Sequence, residues 1–564
     1  MNPKWQYCID RSDEAEKLKQ KYKINDLLAL ILANRNITVD NAEVFLNPTR
    51  HDLHDPFKMP DMEKAVNRIL KAIETKEKIT IYGDYDVDGI TSITTLKSFL
   101  EERGLNVEYY IPHRLDEGYG LNKEAVKKIA DRNTELMITV DCGITGYEEV
   151  EYAKSLGIDV IVTDHHEPSE ILPEAIAVVD CKRKDNEYPF RELAGVGVVF
   201  KLIQAISIKL GLEEKEFLKY LDIVSIGTIS DIVPLKDENR VITKLGLKLV
   251  ACTRNKGLKA ILNNIGYSKI DSNSISYGVA PRINACGRMG YADVALDLLM
   301  SKDIKEAEKY VDSLNSFNNE RQLKEKNILN DVLSQIEEKN LKEKNSIVLS
   351  GFGWHSGVIG IVASKITDLY FKPCILFCFD NESDVGKGSG RSIPGLDLHG
   401  ALVKCQEDLE GFGGHSMAVG VAIKESNIEK FREHFSEIIK GSHVDDIVPI
   451  LNIDAILNID NITKEMVNTL NMLEPFGEAN KMPVFVFKNL RIDSIRTLTE
   501  GKHLKLTLRS NNNTFVNAIG FNLGHLAENF VISDKVDVAG SLEINSFNGV
   551  DSIQINLKDI IKSI

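Results

Sequence analysis

The chain has 564 residues and a formal net charge of −15, and 43% of its residues are hydrophobic, 27% charged and 7% aromatic. This composition is typical of globular proteins and excludes a collagen-like or low-complexity chain, while the length, at roughly 100 to 200 residues per domain, predicts three or four domains. The negative charge argues against tight, non-specific binding of duplex DNA, which depends on Lys and Arg contacts to phosphates, although a cleft on an acidic protein can still be basic.

The beginning of the chain, MNPKWQYCIDRSDEAEKLKQ, carries charges throughout and lacks the apolar stretch of a signal peptide. The longest apolar runs, such as LLALILA from Leu27, are far shorter than the roughly 20 residues of a membrane helix. The eight cysteines form no CxxC pair, so neither a zinc site nor a redox motif is indicated. We therefore expect a cytoplasmic protein that does not associate with membranes.

A parallel α/β domain is predicted over residues 61–300, after a helical extension over residues 1–60. Its first segment is expected to form a helix, because apolar side chains recur at helical spacing at Met62, Ala65, Ile69 and Ile73. Three short, β-branched runs follow, KITIY, LMITV and DVIVT, and helical patterns separate them. This alternation is typical of a doubly wound, parallel sheet.

Acidic and imidazole groups follow each of these runs directly. KITIY leads into Asp84, Asp86 and Asp88, LMITV into Asp141, and DVIVT into Asp164, His165 and His166. A fourth run, AIAVVD, extends the sheet, and a later buried helix is expected to carry Asp231 at or near its end. Because ligands of open α/β sheets bind outside the carboxyl ends of the strands, these groups are expected to converge on one site.

Carboxylates packed this closely repel one another unless cations compensate their charge. The Asp-x-Asp-x-Asp-Gly pattern also begins a calcium loop of the EF-hand type, but that loop requires a Glu where this chain has Thr95. Mixed carboxylate and imidazole ligands suit Mn²⁺, and tolerate Mg²⁺, better than they suit zinc. The cluster therefore predicts two metal ions that clamp and hydrolyse a phosphoester.

The rest of the chain divides into three predicted regions. Residues 301–345 are rich in Glu and Lys and contain no Pro, which predicts a helical connector. Residues 346–445 show a second, smaller α/β pattern with two Gly-rich stretches, GKGSGRS and GFGGHS, predicted as turns whose backbone N–H groups can approach phosphates. Over residues 446–564, short β-like runs broken by turn residues predict a barrel, and an oligonucleotide-binding fold is the leading candidate.

Two further motifs have competing interpretations. LAGVGVVFKL suggests a nucleotide-binding glycine pair, but the third glycine and the acidic partner of a dinucleotide-binding fingerprint are missing, so close helix packing is favoured. His355 in WHSGVIG could be catalytic, but its position before an apolar helix favours a capping or positioning role.

In this order, GDYDVDG, VDCG, TDHHE and SDIVPL resemble the four motifs of the DHH phosphoesterase superfamily. Further on, APRINACGRMG, LNSFNNERQ, WHSGVIGIVASKI, GKGSGRSI and GFGGHSMAVG are similar to the later part of RecJ-type single-strand exonucleases, including the DHHA1 domain. PFGEANKMPVF and GKHLKLTL resemble the lead-in and core of that family's terminal oligonucleotide-binding barrel. The resemblance therefore spans nearly the whole chain.

The resemblance also implies roles for individual residues. It implies that Asp84 and Asp86 hold one metal, that Asp88, His165 and Asp231 hold the other, and that Asp141 bridges both. Asp164 would orient a histidine and His166 would face the scissile phosphate. Tyr82 stands where some members have a histidine ligand, so Asp84 is expected to compensate for it. Ser389 and Arg391 would hold the 5′-terminal phosphate, Arg114 and Arg288 would add phosphate contacts, and His415 would contact the nucleotide near the cut.

The function implied by the resemblance is that of a 5′ to 3′ exonuclease specific for single-stranded DNA, which releases 5′ mononucleotides by two-metal hydrolysis during repair and recombination. A helicase and single-strand-binding protein are the partners that it implies. The alternatives are a phosphodiesterase for short oligonucleotides or cyclic dinucleotides, an inorganic pyrophosphatase, and a non-catalytic replication scaffold. The long β-rich tail and the complete set of acidic ligand positions argue against these alternatives.

Overall fold

The computed structural model describes residues 3–563 except 9–10, 115–116, 119, 381–382, 443–446 and 548–549. The chain forms two compact units: Met1–Thr49 with Val448–Ile564, and Arg50–Ile447. None of the helices in the described residues combines the length and the apolar character that a membrane span requires.

The N-terminal segment contains one strand and three helices: β1 (Lys4–Tyr7), α1 (Ser12–Tyr22), α2 (Asp26–Asn34) and α3 (Ala42–Leu46). Strand β1 pairs in parallel with residues Ile450–Ile453 near the start of the C-terminal region. Leu28 and Leu32 of α2 are fully buried in the same cluster as Phe485 and Phe487. The N-terminal helices therefore pack on the C-terminal region, although residues 1–60 read as a separate extension in the sequence.

The first lobe of the larger unit is built on a parallel sheet. Its elements follow in the order α4 (Met62–Thr75), β2 (Ile79–Gly83), α5 (Val87–Glu101), β3 (Val107–Tyr110), α6 (Lys123–Ala130), β4 (Leu136–Val140), α7 (Tyr147–Ser155), β5 (Asp159–Asp164) and β6 (Ala177–Asp180). The strand order is β3-β2-β4-β5-β6, and all neighbouring strands are parallel. The central strands are buried on both faces, as expected for a sheet covered by helices.

Helices complete the first lobe and lead out of it. They are α8 (Gly195–Lys209), α9 (Lys215–Leu218), α10 (Leu221–Ser230), α11 (Asp237–Val250), α12 (Lys256–Ile265), α13 (Ala280–Met289), α14 (Ala292–Met300) and α15 (Ile304–Glu338). Helix α15 has 35 residues, and its buried side chains recur along one stripe. The connector predicted from the Glu- and Lys-rich composition is therefore a single long helix.

The second lobe is a mixed five-stranded sheet with helices. It contains β7 (Ile347–Phe352), α16 (Ser356–Tyr370), β8 (Cys374–Phe379), β9 (Val385–Arg391), α17 (Leu398–Val403), β10 (Gly411–Gly414), β11 (Ala418–Lys424) and α18 (Ile428–Gly441). The strand order is β10-β11-β9-β8-β7, in which only β7 and β8 are parallel.

Both Gly-rich stretches of the second lobe were predicted as turns, and this prediction was wrong for the GFGG of GFGGHS, which forms β10, and for GKGSGR, which forms β9. Its glycines alternate and face bulky neighbours across the sheet. A Cβ at Gly388 would lie 2.5 Å from the ring of Phe377, and one at Gly386 would lie 2.6 Å from that of Phe379. Glycine is therefore required here for packing, and the Gly-x-Gly pattern places Lys387, Ser389 and Arg391 together on the opposite face of the strand.

The C-terminal region forms the predicted barrel. It contains β12 (Ile450–Ile453), β13 (Ala455–Leu457), α19 (Lys464–Thr469), β14 (Phe485–Leu498), β15 (His503–Arg509), β16 (Phe515–Gly520), β17 (Lys535–Phe547) and β18 (Val550–Lys562). The order β14-β15-β16-β18-β17 closes on itself through pairing of β14 with β17. Closure removes the sheet edges, and alternating apolar side chains fill the interior.

Candidate active site

The three aspartates after β2 lie at the carboxyl edge of the first sheet. Asp86 caps α5, and its Oδ1 accepts hydrogen bonds from the backbone N–H groups of Asp88 (2.9 Å) and Gly89 (3.1 Å). A Cβ at Gly89 would lie 2.3 Å from the carbonyl oxygen of Asp84, so only glycine fits this turn. Asp84 is buried, and its Oδ1 accepts no hydrogen bond from the described residues. The tight turn after β2 therefore brings the carboxylates of Asp84, Asp86 and Asp88 close together.

His165 brings the ligands from the other strands and from α10 together. Its Nε2 lies 3.1 Å from Oδ1 of Asp141, 3.7 Å from Oδ2 of Asp231 and 3.9 Å from Oδ2 of Asp88. Candidate ligand atoms that lie within 4.8 Å of one another form three overlapping groups here: Asp84, Asp86 and Asp141; Asp88, His165 and Asp231; and Asp141, His165 and His166. The structure therefore places all six predicted metal ligands together.

The backbone at the N-terminus of α8 makes hydrogen bonds to two residues of this cluster. Asp88 accepts hydrogen bonds from the backbone N–H groups of Gly195 (2.6 Å) and Val196 (2.9 Å). The carbonyl of Leu193 lies 3.0 Å from Nδ1 of His165, so this nitrogen carries the proton and Nε2 presents its lone pair to the cluster. Close packing was the favoured interpretation of LAGVGVVFKL, and this motif indeed packs closely, against the carboxylates of the cluster.

We expect Gly195→Ala to disrupt the cluster, because its Cβ would lie 2.7 Å from Cβ and Oδ1 of Asp141. Overpacking of this kind destabilises a protein by about 1–3 kcal/mol. Thermal unfolding with and without Mn²⁺ measures the effect, which should be larger with the ion because the ligands are displaced. Gly441→Ala is the control, since a Cβ there would meet no described atom within 4 Å. Equal melting temperatures for the two variants would contradict the prediction.

Asp164 is occupied by hydrogen bonds and orients the two histidines. Its Oδ1 accepts from the backbone N–H of His165 (2.7 Å) and lies 2.7 Å from Nδ1 of His166, while its Oδ2 accepts from the N–H of Ile144 (2.9 Å). Although burial alone would lower it, the hydrogen bond to Asp164 raises the pKa of His166 to about 9. His166 is therefore a cation held beside the cluster, and its ring packs edge-on against that of His165.

The protein alone does not compensate the negative charge of the cluster. Burial, together with neighbouring carboxylates, raises the pKa values of Asp84, Asp141 and Asp231, and raises that of Asp88 to about 7. Burial also lowers the pKa of His165 to about 3, which keeps its imidazole neutral. Three buried atoms of the cluster have no hydrogen-bond partner among the described residues, namely Oδ1 of Asp84, Oδ1 of Asp141 and Nε2 of His165. Unsatisfied oxygens and a neutral imidazole nitrogen form a donor set that fits divalent cations.

This charge imbalance predicts an unusual dependence of stability on pH for the metal-free protein. The folded-state pKa of Asp88 lies above its ordinary value of 3.8, so the folded protein binds this proton more tightly than the unfolded chain does. The contribution to stability is therefore lost as pH rises from about 4 through about 7. We expect the melting temperature in EDTA to fall over this range and Asp88→Asn to flatten the fall. A slope that is unchanged in Asp88→Asn would contradict this expectation.

A cleft of about 880 Å³ is lined by four of the six predicted metal ligands and by predicted substrate-binding residues. Its lining includes the carboxylates of Asp84, Asp86, Asp88 and Asp231 together with Arg114, Arg288, Ser389 and Arg391. Nη1 of Arg391 donates to Oγ of Ser389 (3.0 Å). Burial and the nearby guanidinium groups of Arg114 and Arg391 lower the pKa of Arg288 to about 10. Three guanidinium groups thus line one cleft, so positive charge is concentrated locally on an acidic protein.

Several predicted site residues are absent from the cleft lining, namely Asp141, Asp164, His165 and His166. His415 is exposed in the turn between β10 and β11 and is absent from the cleft lining. Tyr82 is not a ligand, because its hydroxyl donates to the carbonyl of Gly120 (2.8 Å) and its ring stacks on Tyr110. The capping role favoured for His355 is confirmed, since its Nδ1 accepts from the N–H of Gly357 (3.2 Å).

Sequence reasoning missed three residues in the cleft lining: Tyr85, Asn284 and Lys387. The ring of Tyr85 lies 4.7 Å from the guanidinium carbon of Arg114, and Oδ1 of Asn284 accepts from the N–H of Val87 (3.3 Å). Each lies inside a motif that had already been recognised, so its position in that motif was the available signal.

A second cluster with the composition of a metal site consists of Glu407, Asp408 and His434 in the second lobe. Asp408 forms an ion pair with Lys430 (2.7 Å) and contacts Nδ1 of His434 (2.7 Å). The ammonium group of Lys430 therefore already compensates the buried carboxylate, in contrast to the cluster of the first lobe.

Comparison with known proteins identifies three families along the chain. Residues 78–228 match the DHH family, N-terminal domain, residues 343–441 the DHHA1 domain, and residues 453–559 the RecJ OB domain. The single-stranded-DNA-specific exonuclease RecJ of Bacillus subtilis (strain 168) is 38% identical over 561 residues, which cover 99% of this chain and 70% of that protein.

Two crystal structures of RecJ from Thermus thermophilus are similar over 100% of this chain. The complex with Mn²⁺ has a TM-score of 0.87 at 29% identity, and the match covers 80% of that protein. The complex with Mg²⁺ has a TM-score of 0.79 at 26% identity, and the match covers 79% of that protein.

Proposed function

Because this chain belongs to the RecJ family of single-stranded-DNA-specific exonucleases, we propose that it degrades single-stranded DNA in the 5′ to 3′ direction and releases 5′ mononucleotides. The observation that carries the proposal is that one cleft is lined both by carboxylates of the cluster and by Ser389 and three arginines. A phosphodiester can meet the cluster while a terminal phosphate meets the guanidinium groups. This arrangement supports cleavage next to a strand end.

We propose that the cluster holds two Mn²⁺ or Mg²⁺ ions. Asp84 and Asp86 would hold one ion, Asp88, His165 and Asp231 the other, and Asp141 would contact both. The ions would supply a nucleophile derived from water and neutralise charge on the phosphate in the transition state. The unsatisfied buried atoms of the cluster and the metal complexes of the Thermus relative support this assignment.

The remaining polar residues of the site position the substrate. His166, held as a cation by Asp164, is suited to hydrogen-bond a non-bridging oxygen of the scissile phosphate. Arg391 and Ser389, which contact each other on β9, would bind the terminal 5′-phosphate, with Arg114 and Arg288 adding charge. Because this pocket would hold a terminal phosphate, it favours cutting from the 5′ end and release of single nucleotides. His415 lies outside the cleft lining, on the exposed turn between β10 and β11, and would contact the nucleotide near the cut from there.

The C-terminal barrel would hold the strand without reading its sequence. Phe515 and Phe521 are more than half exposed, and the guanidinium group of Arg509 lies 6.0 Å from the Phe515 ring. Aromatic rings and cations of this kind bind single strands by base stacking and phosphate contacts. Since duplex would have to be opened first, we also propose a helicase and single-strand-binding protein as partners in repair and recombination.

The proposal is tested with purified protein, Mn²⁺ and strands labelled at either end. Long single-stranded DNA is compared with duplex and with RNAs of a few nucleotides. We expect a 5′ label to appear at once in mononucleotides, whereas a 3′ label stays on a shrinking strand. If long single strands survive while short RNAs disappear, the protein is instead a phosphodiesterase for short oligonucleotides. Strand binding without any hydrolysis would indicate a scaffold.

A further inference from the structure

The first turn of α11 contains two polar side chains that are completely buried, Glu238 and Asn239. Glu238 accepts hydrogen bonds from Nζ of Lys201 (2.7 Å) and from the N–H of His54 (3.0 Å), which fixes this end of the helix. Asn239 therefore sits on a rigid support. A buried amide is costly unless it is hydrogen-bonded. The Oδ1 of Asn239 has no partner among the described residues, so the contacts that stabilise this side chain are those of its Nδ2.

Asn239 joins two separate backbone segments through one amide group. Its Nδ2 donates to the carbonyl oxygen of Glu192 (2.5 Å) and to that of Pro234 (3.1 Å). An amide NH₂ group has two protons, and both are used. Because both acceptors are backbone carbonyls, these hydrogen bonds fix the positions of the two backbone segments relative to each other.

The first of these segments holds two residues of the candidate metal cluster. Glu192 precedes Leu193, whose carbonyl orients the ring of His165, and Gly195, whose N–H donates to Asp88. A movement of this segment would therefore move an imidazole and a carboxylate together.

The second segment carries the remaining member of the same group. Asp231 ends α10, and Pro234 follows three positions later. Between them, Ile232 has a φ of 62°, a left-handed conformation that is unusual for a branched residue. A conformation of this kind persists only when surrounding contacts hold it, and the bond from Asn239 to Pro234 is such a contact.

We propose that Asn239 is a positioning residue that ties together Asp88, His165 and Asp231, so that they can bind one divalent cation. The inference rests on the proposed metal-dependent function. Asn239 itself touches neither metal nor substrate, since it acts only through the two backbone segments. In the described residues this amide donates only to Glu192 and Pro234 and not to Asp84, Asp86 or Asp141. Because Asp141 lies 3.1 Å from His165, we expect the larger effect at the ion site of Asp88, His165 and Asp231 and a smaller one at the other site.

The test replaces Asn239 with Asp, whose side chain has the same shape as that of Asn. A carboxylate oxygen then takes the place of Nδ2 and repels the carbonyl oxygens of Glu192 and Pro234 instead of donating to them. We expect the affinity of the Mn²⁺ ion held by Asp88, His165 and Asp231 to fall about 10–100-fold, the range for residues that orient metal ligands. Titration calorimetry gives the affinity of each ion, and electron paramagnetic resonance of Mn²⁺ reports on whether the two ions are still coupled. Excess Mn²⁺ should restore much of the hydrolysis rate, because the catalytic groups themselves are intact.

Asn480→Asp is a matched control. Asn480 is also buried, and its Nδ2 donates to two carbonyl oxygens, those of Leu473 (2.9 Å) and Pro475 (2.7 Å), within the barrel unit. The Oδ1 of Asn480 also accepts a hydrogen bond from Nη1 of Arg35, which would compensate part of the new charge. This variant should therefore lose less stability than Asn239→Asp and show no change in Mn²⁺ affinity. Asn239→Ala, which removes the donors without adding a charge, is measured alongside in case Asn239→Asp does not fold.

The proposal is overturned if both Asn239 variants bind two Mn²⁺ ions as tightly as the wild type, or if Asn480→Asp weakens binding equally. Failure of the proposed nuclease function would look different. In that case the wild-type protein would bind Mn²⁺ but leave single-stranded DNA intact, and the binding comparison between variants would still decide the role of Asn239.

Discussion

Asp141→Asn is expected to lower the rate of single-stranded DNA hydrolysis by about 10³-fold or more. Asp141 is the residue whose carboxylate belongs to the first ligand group and also approaches His165 of the second. Its loss therefore weakens both ion sites, and several kcal/mol of transition-state stabilisation correspond to about a thousandfold in rate. The measurement is the initial rate of mononucleotide release at saturating Mn²⁺.

The substitution should leave the fold intact, because Asn has the shape of Asp and removes one of several uncompensated buried charges. We expect the metal-free variant to melt no lower than the wild type and to retain strand binding. Asp408→Asn is the matched control, since Asp408 is equally buried but belongs to the cluster that Lys430 compensates. Full activity in Asp141→Asn, or a comparable loss in Asp408→Asn, would refute the assignment of the metal site.

Arg391→Ala is expected to reduce kcat/KM about 100-fold on strands with a 5′-phosphate and much less on strands with a 5′-hydroxyl. Arg391 lines the cleft and donates to Ser389, so its guanidinium group is held in place for a phosphate. Charge-assisted, bidentate contacts of Arg to phosphate are among the strong hydrogen bonds. Losing one is expected to lower kcat/KM about 100-fold. The measurement compares the two strand ends at equal Mn²⁺ concentration.

Two further variants define the specificity of this effect. Arg391→Lys keeps the charge but loses the planar fork, so it should recover only part of the preference. Arg432→Ala removes an arginine of α18 that lies outside the cleft lining and bonds to the carbonyl of Val348, and it should not change the preference. A uniform loss on both kinds of strand end would mean that Arg391 binds the strand generally and does not recognise its 5′ end.

The position of the metal-type cluster could be predicted from sequence because it follows from two simple rules. Apolar runs of β-branched residues marked β2, β4 and β5, and the carboxyl ends of parallel strands meet at one edge. The structure accordingly joins Asp84, Asp141 and His165, although they are far apart in the chain. The pairing of ligands into two groups came from the family resemblance, since spacing alone does not decide which carboxylates share an ion.

Other features could not be read from sequence because they depend on contacts across the fold. GKGSGR resembles a turn, and only the presence of Phe377 and Phe379 on the next strand shows why its glycines belong to a sheet. The four-residue strand β1 carries no pattern of its own and forms by pairing with Ile450–Ile453. Asn239 looks like an ordinary helical residue until its two carbonyl partners are known.

Anomalous diffraction from crystals grown with Mn²⁺ tests the central claim, that this cluster is a two-metal hydrolytic centre, most directly. We predict two peaks about 3.5 to 4 Å apart. One should lie among Asp84, Asp86 and Asp141, and the other among Asp88, His165 and Asp231. An empty cluster, or a peak only at Glu407, Asp408 and His434, would contradict the account.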